Sequence, residues 1–301
     1  MQSKIKTWLK LSRLPFHTVG LAPVLAASFW ASYTGFPVNW FLVFVASLGV
    51  ITIMLSTYFA GEYFDQKEDH LSSKYWISEF AGGSKALAGS NINPKSVLKA
   101  ANICAVISIL IGIFIQFYFK TGFWTLPLGA IGLFSGYFYS VPPLRWVKRG
   151  IGELLISICY GFLPVFTIFY LLTGQFDYRL FYLASPMALS IFLVIFINEF
   201  PDNQADTEVN KKNLVVRFGL KKSRLIYIIF QAKYIFTIVM LMYLNVLPGK
   251  LLLFIPIGLS VLLATFLIFN FHKKPKTLEP VCALTIVQNL LSSLVIIAYT
   301  I

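Results

Sequence analysis

Apolar residues in this chain come in runs of helix length, and the charged residues gather in the gaps between them. No charged residue occurs from Leu14 to Gly61, and none from Leu180 to Ile197. The runs are continuous rather than alternating, which predicts helices and argues against a strand barrel. A bilayer core is crossed by about 20 apolar residues. Nine segments qualify: 15–34, 40–61, 97–119, 122–140, 153–173, 180–200, 225–247, 250–271 and 280–300. No linker or low-complexity stretch divides them. The expected fold class is all-α: a polytopic membrane protein of nine transmembrane helices, in a single domain over 1–301.

Composition agrees. Apolar residues make up 57% of the chain and charged residues 12%, with a mean hydropathy of +0.75; soluble domains carry about 25% charged residues. Lys4, Lys6, Lys10 and Arg13 precede the first run, as in a signal peptide. Pro15 and Pro23 interrupt that run and further spans follow, so a retained first helix is expected. Cys104, Cys159 and Cys282 lie inside apolar runs without ligand spacing and read as buried core residues.

Charge placement sets the expected orientation. With nine spans, 21 of the 25 Lys and Arg fall on the N-terminal side and three (Lys120, Arg179 and Lys250) on the other, while Lys233 lies inside the seventh span. The positive-inside rule puts the N-terminus and the loops on its side in the cytoplasm and the C-terminus opposite. The net charge of +13 is then topology signal and attraction to lipid, and no nucleic-acid partner is needed to explain it. A faint four-span period, with acidic motifs after spans 2 and 6 and basic Pro-containing loops after spans 4 and 8, hints at two related halves plus a ninth helix.

The chemistry lies in three loops on that one side. Asn198-Glu199-Phe200-Pro201-Asp202-Asn203-Gln204-Ala205-Asp206 closes the sixth span. Asp202 and Asp206, four apart, share a helical face and can grip one cation, with Asn198 one turn earlier. Asp65 and Asp69 repeat the arrangement after the second span, beside Glu62, Glu68 and Lys67. Farther along, Ala81-Gly82-Gly83-Ser84-Lys85 offers backbone N–H groups and a cation to an anion. After the fourth span, Pro142 and Pro143 stop the helix, and Arg145, Lys148 and Arg149 follow at the surface. The loop after Asp206 adds Lys211, Lys212 and Arg217. Carboxylates repel a phosphate but hold it through Mg²⁺, while Lys and Arg take its remaining oxygens. The ligand inferred is a diphosphate, held by metal from two sides, next to an apolar cavity.

These residues resemble a known family. Asp65-x-x-x-Asp69, Ser140-x-Pro142-Pro143-x-Arg145 with Arg149-Gly150-x-Gly152-Glu153, and Asn198-Glu199-Phe200-Pro201-Asp202-x-x-x-Asp206 with Leu214-Val215-Val216-Arg217 are similar to the motifs of the UbiA superfamily of membrane prenyltransferases. The branch they resemble most is the 1,4-dihydroxy-2-naphthoate polyprenyltransferases of menaquinone synthesis, in bacterial or archaeal cell membranes. The resemblance implies a bundle of nine helices around a central cavity with a cytoplasmic cap. It implies two or more Mg²⁺ ions at Asp65, Asp69, Asn198, Asp202 and Asp206. The prenyl diphosphate would be held by Lys85, Arg145, Lys148, Asn198 and Lys212. A polyprenyl group would pass to an aromatic acceptor in the bilayer. Tyr63, Tyr137 and Tyr139 are candidates to face the allylic cation with their rings; as interface-belt tyrosines they would do nothing of the kind. Gly61 departs from the family, whose first motif begins with Asn. Glu62 beside it is the candidate to compensate or to act as base, and Asn213 stands where Thr is common.

Two other readings compete. A transporter would carry its acids near the midplane, whereas these cluster at one surface. A terpene cyclase, or a transferase for 4-hydroxybenzoate, homogentisate, haem or a glycerol-phosphate lipid, would share the metal motifs.

Overall fold

Caps and breaks decide where the apolar runs become helices. The computed structural model describes residues 4–75, 78, 83–87 and 90–301. Its helices are α1 (Lys4–Leu11), α2 (His17–Tyr33), α3 (Trp40–Phe64), α4 (Gln66–Tyr75), α5 (Pro94–Tyr118), α6 (Thr125–Tyr137), α7 (Gly152–Ser157), α8 (Leu163–Thr173), α9 (Arg179–Glu208), α10 (Leu214–Tyr243), α11 (Phe254–Ile268) and α12 (Pro275–Thr300). A π-helical turn, Ile158–Phe162, joins α7 and α8 into one pass. There is no strand among the described residues.

Asn39 opens α3 by accepting from the N–H groups of Phe41 and Leu42, both at 3.1 Å. Asn93 does the same for α5, with Pro94 at its first position. Asn213 caps α10 by accepting from Val216 N–H at 2.8 Å.

Among the described residues the chain makes nine helical passes, and eight of them are long and apolar enough to cross a membrane. The exception lies in the segment expected over 122–140. Its helix α6 has 13 residues, which rise about 20 Å against a hydrocarbon core of about 30 Å. The apolar run is longer than the helix because Gly122 is left-handed (φ 95°) at one end and the Pro142-Pro143 turn closes the other. The pass still links both ends of the bundle. Trp124 N–H donates to the Tyr170 hydroxyl at 3.3 Å near the end of α8, while Ser140 beyond the other end donates to Asp65. The chain therefore begins and ends at opposite faces of the bundle.

Helix α9 is the axis: 78% of its apolar window is buried, against 17% for the peripheral α5. It stacks Phe192 on Phe230 of α10 at 4.3 Å. A buried polar ladder ties the second half together, as interhelical hydrogen bonds do in lipid. Gln231 exchanges bonds with Gln288 at 3.1 and 2.8 Å, Tyr234 meets Ser292 at 2.8 Å, and Ser292 reaches Ser190 of α9 at 3.2 Å. Helix α9 also runs past the expected end at residue 200, through Pro201, to Glu208. Proline has no N–H, so the Ile197 carbonyl loses its helical donor just where the second acidic motif begins.

Candidate active site

A cavity of about 370 Å³ opens between α2, α3, α5, α6, the α7–α8 pass and α9, and both acidic motifs stand on its wall. Asp65, Asp69, Asn198, Asp202 and Asp206 all line it, with Glu68, Glu199, Lys211 and Tyr139 among them. Below these polar groups the wall is apolar.

The first motif lies where α3 ends. Asp65 Oδ1 accepts from Arg145 Nη2 at 2.6 Å, and its other oxygen accepts from the Ser140 hydroxyl. Arg145 is itself left-handed (φ 42°), which turns it back from the proline loop toward α3. Glu68 pairs with Lys148 and, at 3.4 Å, with Arg145. Asp69 Oδ1 accepts from Gly83 N–H at 2.7 Å. Of the expected glycine-rich loop, Gly83, Ser84 and Lys85 are in place, whereas Ala81 and Gly82 lie outside the described residues.

The second motif faces it from α9. Asp206 accepts from Asn213 Nδ2 at 2.7 Å and pairs with Lys211 Nζ at 3.1 Å. Asn213 thus both caps α10 and fixes an acidic side chain. Glu153 accepts from Leu214 N–H at 2.6 Å, holding the start of α10 against α7. Gly150 (φ 67°) allows a close approach at this seam. A Cβ there would lie 2.5 Å from Arg217 Nε and 2.7 Å from the Lys212 carbonyl. Arg217 accordingly donates to the carbonyls of Arg149 at 2.7 Å and Lys212 at 2.8 Å. It is a clasp between two loops.

Burial dominates the electrostatics. It raises the Asp65 carboxyl above its ordinary value, against the Ser140 hydrogen bond and the charges of Lys211 and Arg145. Asp69 is pushed up to about 7, by burial and then by the negative charge of Glu62. For Glu68, burial is overcome by the Lys148 hydrogen bond and the nearby cations, which hold it below its ordinary value. Burial works against the Lys211 ammonium too, but Asp206 and Asp202 raise it well above its usual range.

The donor set suits a hard divalent cation shared with a ligand. Among the described residues no group of three or more His, Cys, Asp or Glu could hold an ion by itself. Two carboxylate pairs face one cavity, however, and Asn198 Oδ1 is buried on its wall without a hydrogen-bond partner. Mg²⁺ favours one or two carboxylates plus phosphate oxygens and water over an all-protein cage.

Several expected residues lie elsewhere. Glu62 is 2% exposed and turned off the cavity wall. It accepts from Arg13 Nη2 at 2.8 Å and from the Ser84 N–H and hydroxyl at 2.7 and 2.9 Å. Lys212 is exposed beyond the wall; its neighbour Lys211 turns inward instead. Tyr63 packs edge-on against Phe64, and Tyr137 donates to Asn102 at 2.6 Å; neither lines the cavity. Tyr139 does, together with Tyr58 and Tyr160. Arg145 and Lys148 reach the first motif from behind, and the Lys85 ammonium is buried without a partner. Sequence reasoning passed over Arg13, Tyr58, Tyr160, Glu199 and Lys211 as wall residues. Of these, only Lys211 and Glu199 carried a signal, being adjacent to motif residues.

Fold and site together define an integral membrane protein whose apolar chamber ends in paired carboxylates and cations. The UbiA prenyltransferase family matches residues 20–287, and the chain belongs to that family. It is 26% identical over 181 residues to a 1,4-dihydroxy-2-naphthoate octaprenyltransferase of Bacillus subtilis, a match covering 60% of this chain and 56% of that protein. The chain thus spans little more than half the length of that relative. Two solved structures share the fold. One is a digeranylgeranylglyceryl phosphate synthase, at TM-score 0.67, 16% identity and 99% coverage of both chains. The other is a UbiA homolog from Archaeoglobus fulgidus bound to GPP and Mg²⁺, at TM-score 0.65, 14% identity and coverage of 97% of this chain and 99% of that one.

Proposed function

We propose that the chain, as one domain over its whole length, transfers a polyprenyl group from prenyl diphosphate to an aromatic acceptor, 1,4-dihydroxy-2-naphthoate or a close analogue, with Mg²⁺ in menaquinone-type quinone synthesis. The observation that carries this reading is the meeting of Asp65, Asp69, Asp202 and Asp206 at the mouth of one apolar cavity, with Lys211 among them. The naphthoate activity of the Bacillus subtilis relative supports the acceptor, and the GPP and Mg²⁺ of the Archaeoglobus fulgidus homolog support the donor and the metal.

Asp65, Asp69, Asn198, Asp202 and Asp206 would hold the metal, more than one ion being accommodated by two carboxylate pairs. Bound there, Mg²⁺ would neutralise the diphosphate and make it a better leaving group. The protein's own part is positioning. Lys211, Arg145 and Lys148 supply fixed positive charge for the departing pyrophosphate. The apolar chamber excludes water from the allylic cation left behind, and the rings of Tyr139, Tyr58 and Tyr160 offer it their faces. The C–O bond of the prenyl diphosphate breaks, and a C–C bond forms from the acceptor ring to the prenyl carbon. The ring regains aromaticity by losing a proton from that carbon, or carbon dioxide where the carbon bears a carboxylate.

Orientation follows from charge. The bundle end that carries the site also carries 21 of the 25 Lys and Arg, which supports a cytoplasmic site and N-terminus with the C-terminus opposite.

The test is turnover of purified protein with labelled geranyl diphosphate and 1,4-dihydroxy-2-naphthoate, with and without chelator. The expected result is a prenylated naphthoid product that needs divalent metal. Alanine at any of the four aspartates should cost at least a hundredfold in rate while the protein remains monodisperse in detergent. Hydrocarbon product formed without acceptor would indicate cyclase chemistry, and full activity in excess chelator would sink the metal assignment.

A further inference from the structure

Lys233 stands in the middle of a span, and the site makes no use of it. After the break at Gly219 (φ 72°), α10 runs on to Tyr243. Lys233 falls nine residues past Arg224 and ten before Tyr243, so about 14 Å of helix separates it from either end. Its neighbours agree on the depth. Two residues earlier, Gln231 bonds Gln288, at the midpoint of α12, and accepts from Ser260 of α11. Lys233 itself is exposed on the outer face of α10. Its Nζ lies 4.7 Å from the ring centre of Phe230, and among the described residues it has no hydrogen bond or ion pair. An outward apolar residue at this depth is covered by lipid tails. A lysine there is costly, and intramembrane charges are kept where a partner meets them.

Lipid phosphates are beyond its reach, because the distance exceeds the four-carbon stem along which a lysine snorkels. A second copy of the chain brings no carboxylate to this depth, since all 12 of its Asp and Glu lie at or beyond the ends of the apolar runs. What remains is a helix of another protein with an acid in mid-span. The surface suits a helix. Leu225, Ile229, Ala232, Phe236, Val239 and Tyr243 are all exposed and alternate in steps of four and three. That is the spacing of a coiled-coil seam, with Lys233 on its flank. Ala232, at the centre, lets a second backbone come close beside the amine.

We propose that this face of α10 docks a transmembrane helix of another protein that carries Asp or Glu in mid-span, with Lys233 as the charge that pairs with it. The test uses the full chain in phosphatidylcholine vesicles, with energy transfer to synthetic transmembrane peptides of leucine and alanine that have either Asp or Leu at the centre. The Asp peptide should bind about tenfold more tightly than the Leu peptide, the usual worth of a polar pair between model helices in lipid. Lys233→Met, which removes the charge and keeps the bulk, should erase that advantage, and Lys233→Arg should keep it. Ala232→Leu, which fills the seam and keeps the charge, should weaken the Asp peptide about threefold or more, because the backbones can no longer approach. Equal binding of the two peptides by wild type would overturn the proposal, and so would an Asp advantage that survives in Lys233→Met. Self-association of labelled copies that is lost in Lys233→Met would assign the face to a second copy instead. An Asp advantage abolished by phosphatidylglycerol in the vesicles would assign Lys233 to a lipid phosphate, which also overturns it.

Discussion

Arg145 Nη2 lies 2.6 Å from Asp65 Oδ1, across 80 residues of chain. The contact joins the proline loop after α6 to the acidic end of α3, and it explains why the two stretches work as one site. A half-buried carboxylate would be costly alone. Arg145 and the Ser140 hydroxyl offset part of that cost and hold the carboxylate where a metal or a diphosphate can share its charge.

Replacing Arg145 should therefore damage two things at once. Arg145→Ala should raise KM for prenyl diphosphate and lower kcat, with kcat/KM falling about ten- to a hundredfold for a lost hydrogen bond to a charged group. Arg145→Lys should recover only part, because an ammonium cannot reproduce the fork. The check is steady-state kinetics with the acceptor saturating. An unchanged KM for prenyl diphosphate in the alanine variant would separate Arg145 from the diphosphate.

A second prediction concerns the loop over the first motif. Gly83 donates its N–H to Asp69, and a Cβ added there would lie 1.8 Å from Asp69 Oδ2. No Cβ tolerates that distance, so in Gly83→Ala the carboxylate must swing away. The half-saturating Mg²⁺ concentration should rise about tenfold or more, since a bond to a charged acceptor is lost, while thermal stability changes little. Wild-type Mg²⁺ dependence in Gly83→Ala would show that Asp69 does not depend on this contact.

What the sequence made legible was whatever depends on long runs and fixed helical spacing. Continuous apolar stretches marked the passes, and the four-residue spacing of Asp65–Asp69 and Asp202–Asp206 picked out carboxylates that line one cavity. What escaped depends on side-chain direction where a helix stops. Beyond the end of α9, Lys211 folds back on Asp206 while Lys212 faces out, a one-residue phase that no periodicity reports. Glu62 lies within a turn of Asp65 yet its carboxylate is taken by Arg13 and Ser84 and is off the cavity wall, a choice of side-chain direction that spacing does not report. Arg13 read as ordinary topology charge; only its left-handed backbone at the α1–α2 joint brings it to the cavity wall. The 122–140 segment was apolar enough for a full span, and a glycine and two prolines at its ends shortened the helix.

The pH dependence should follow Asp69, whose carboxyl sits at about 7 through burial and the charge of Glu62. A cation needs the carboxylate form. Mg²⁺ affinity should therefore climb about tenfold per pH unit below 7 and level off above it. Stability without metal should move the other way. The folded protein keeps this proton up to about 7, whereas the unfolded chain releases it near 3.8. Between those values the folded state binds more protons, so stability falls as pH rises through the window. Thermal unfolding from pH 5 to 8, with and without Mg²⁺, checks both signs. Asp69→Asn should flatten the metal-free slope, and a slope that survives in that variant would assign it to another group.

The last prediction compares the two motifs at their first positions. Asn198 Oδ1 is buried on the cavity wall without a protein partner, which leaves it free to serve an ion or a water bound to one. The corresponding place in the first motif is Gly61, which has no side chain to offer. A Cβ there would lie 3.5 Å from Ser140 Oγ and 3.8 Å from Asp65 Oδ2, so there is room for one. In this chain Ser140 and Arg145 already orient Asp65, and they do the work an amide at 61 would do. The site is thus expected to be asymmetric, with the second motif holding metal more tightly. Asn198→Ala should raise the half-saturating Mg²⁺ concentration about ten- to a hundredfold, corresponding to about 1.5–3 kcal/mol for a group bonded to a charged centre. Gly61→Asn should shift it by less, in either direction, because the new amide competes with Ser140 for Asp65. The measurement is the Mg²⁺ dependence of prenyl transfer in wild type and both variants. If Asn198→Ala matched wild type at limiting Mg²⁺, the asymmetry would be wrong and the first motif would be the principal metal site.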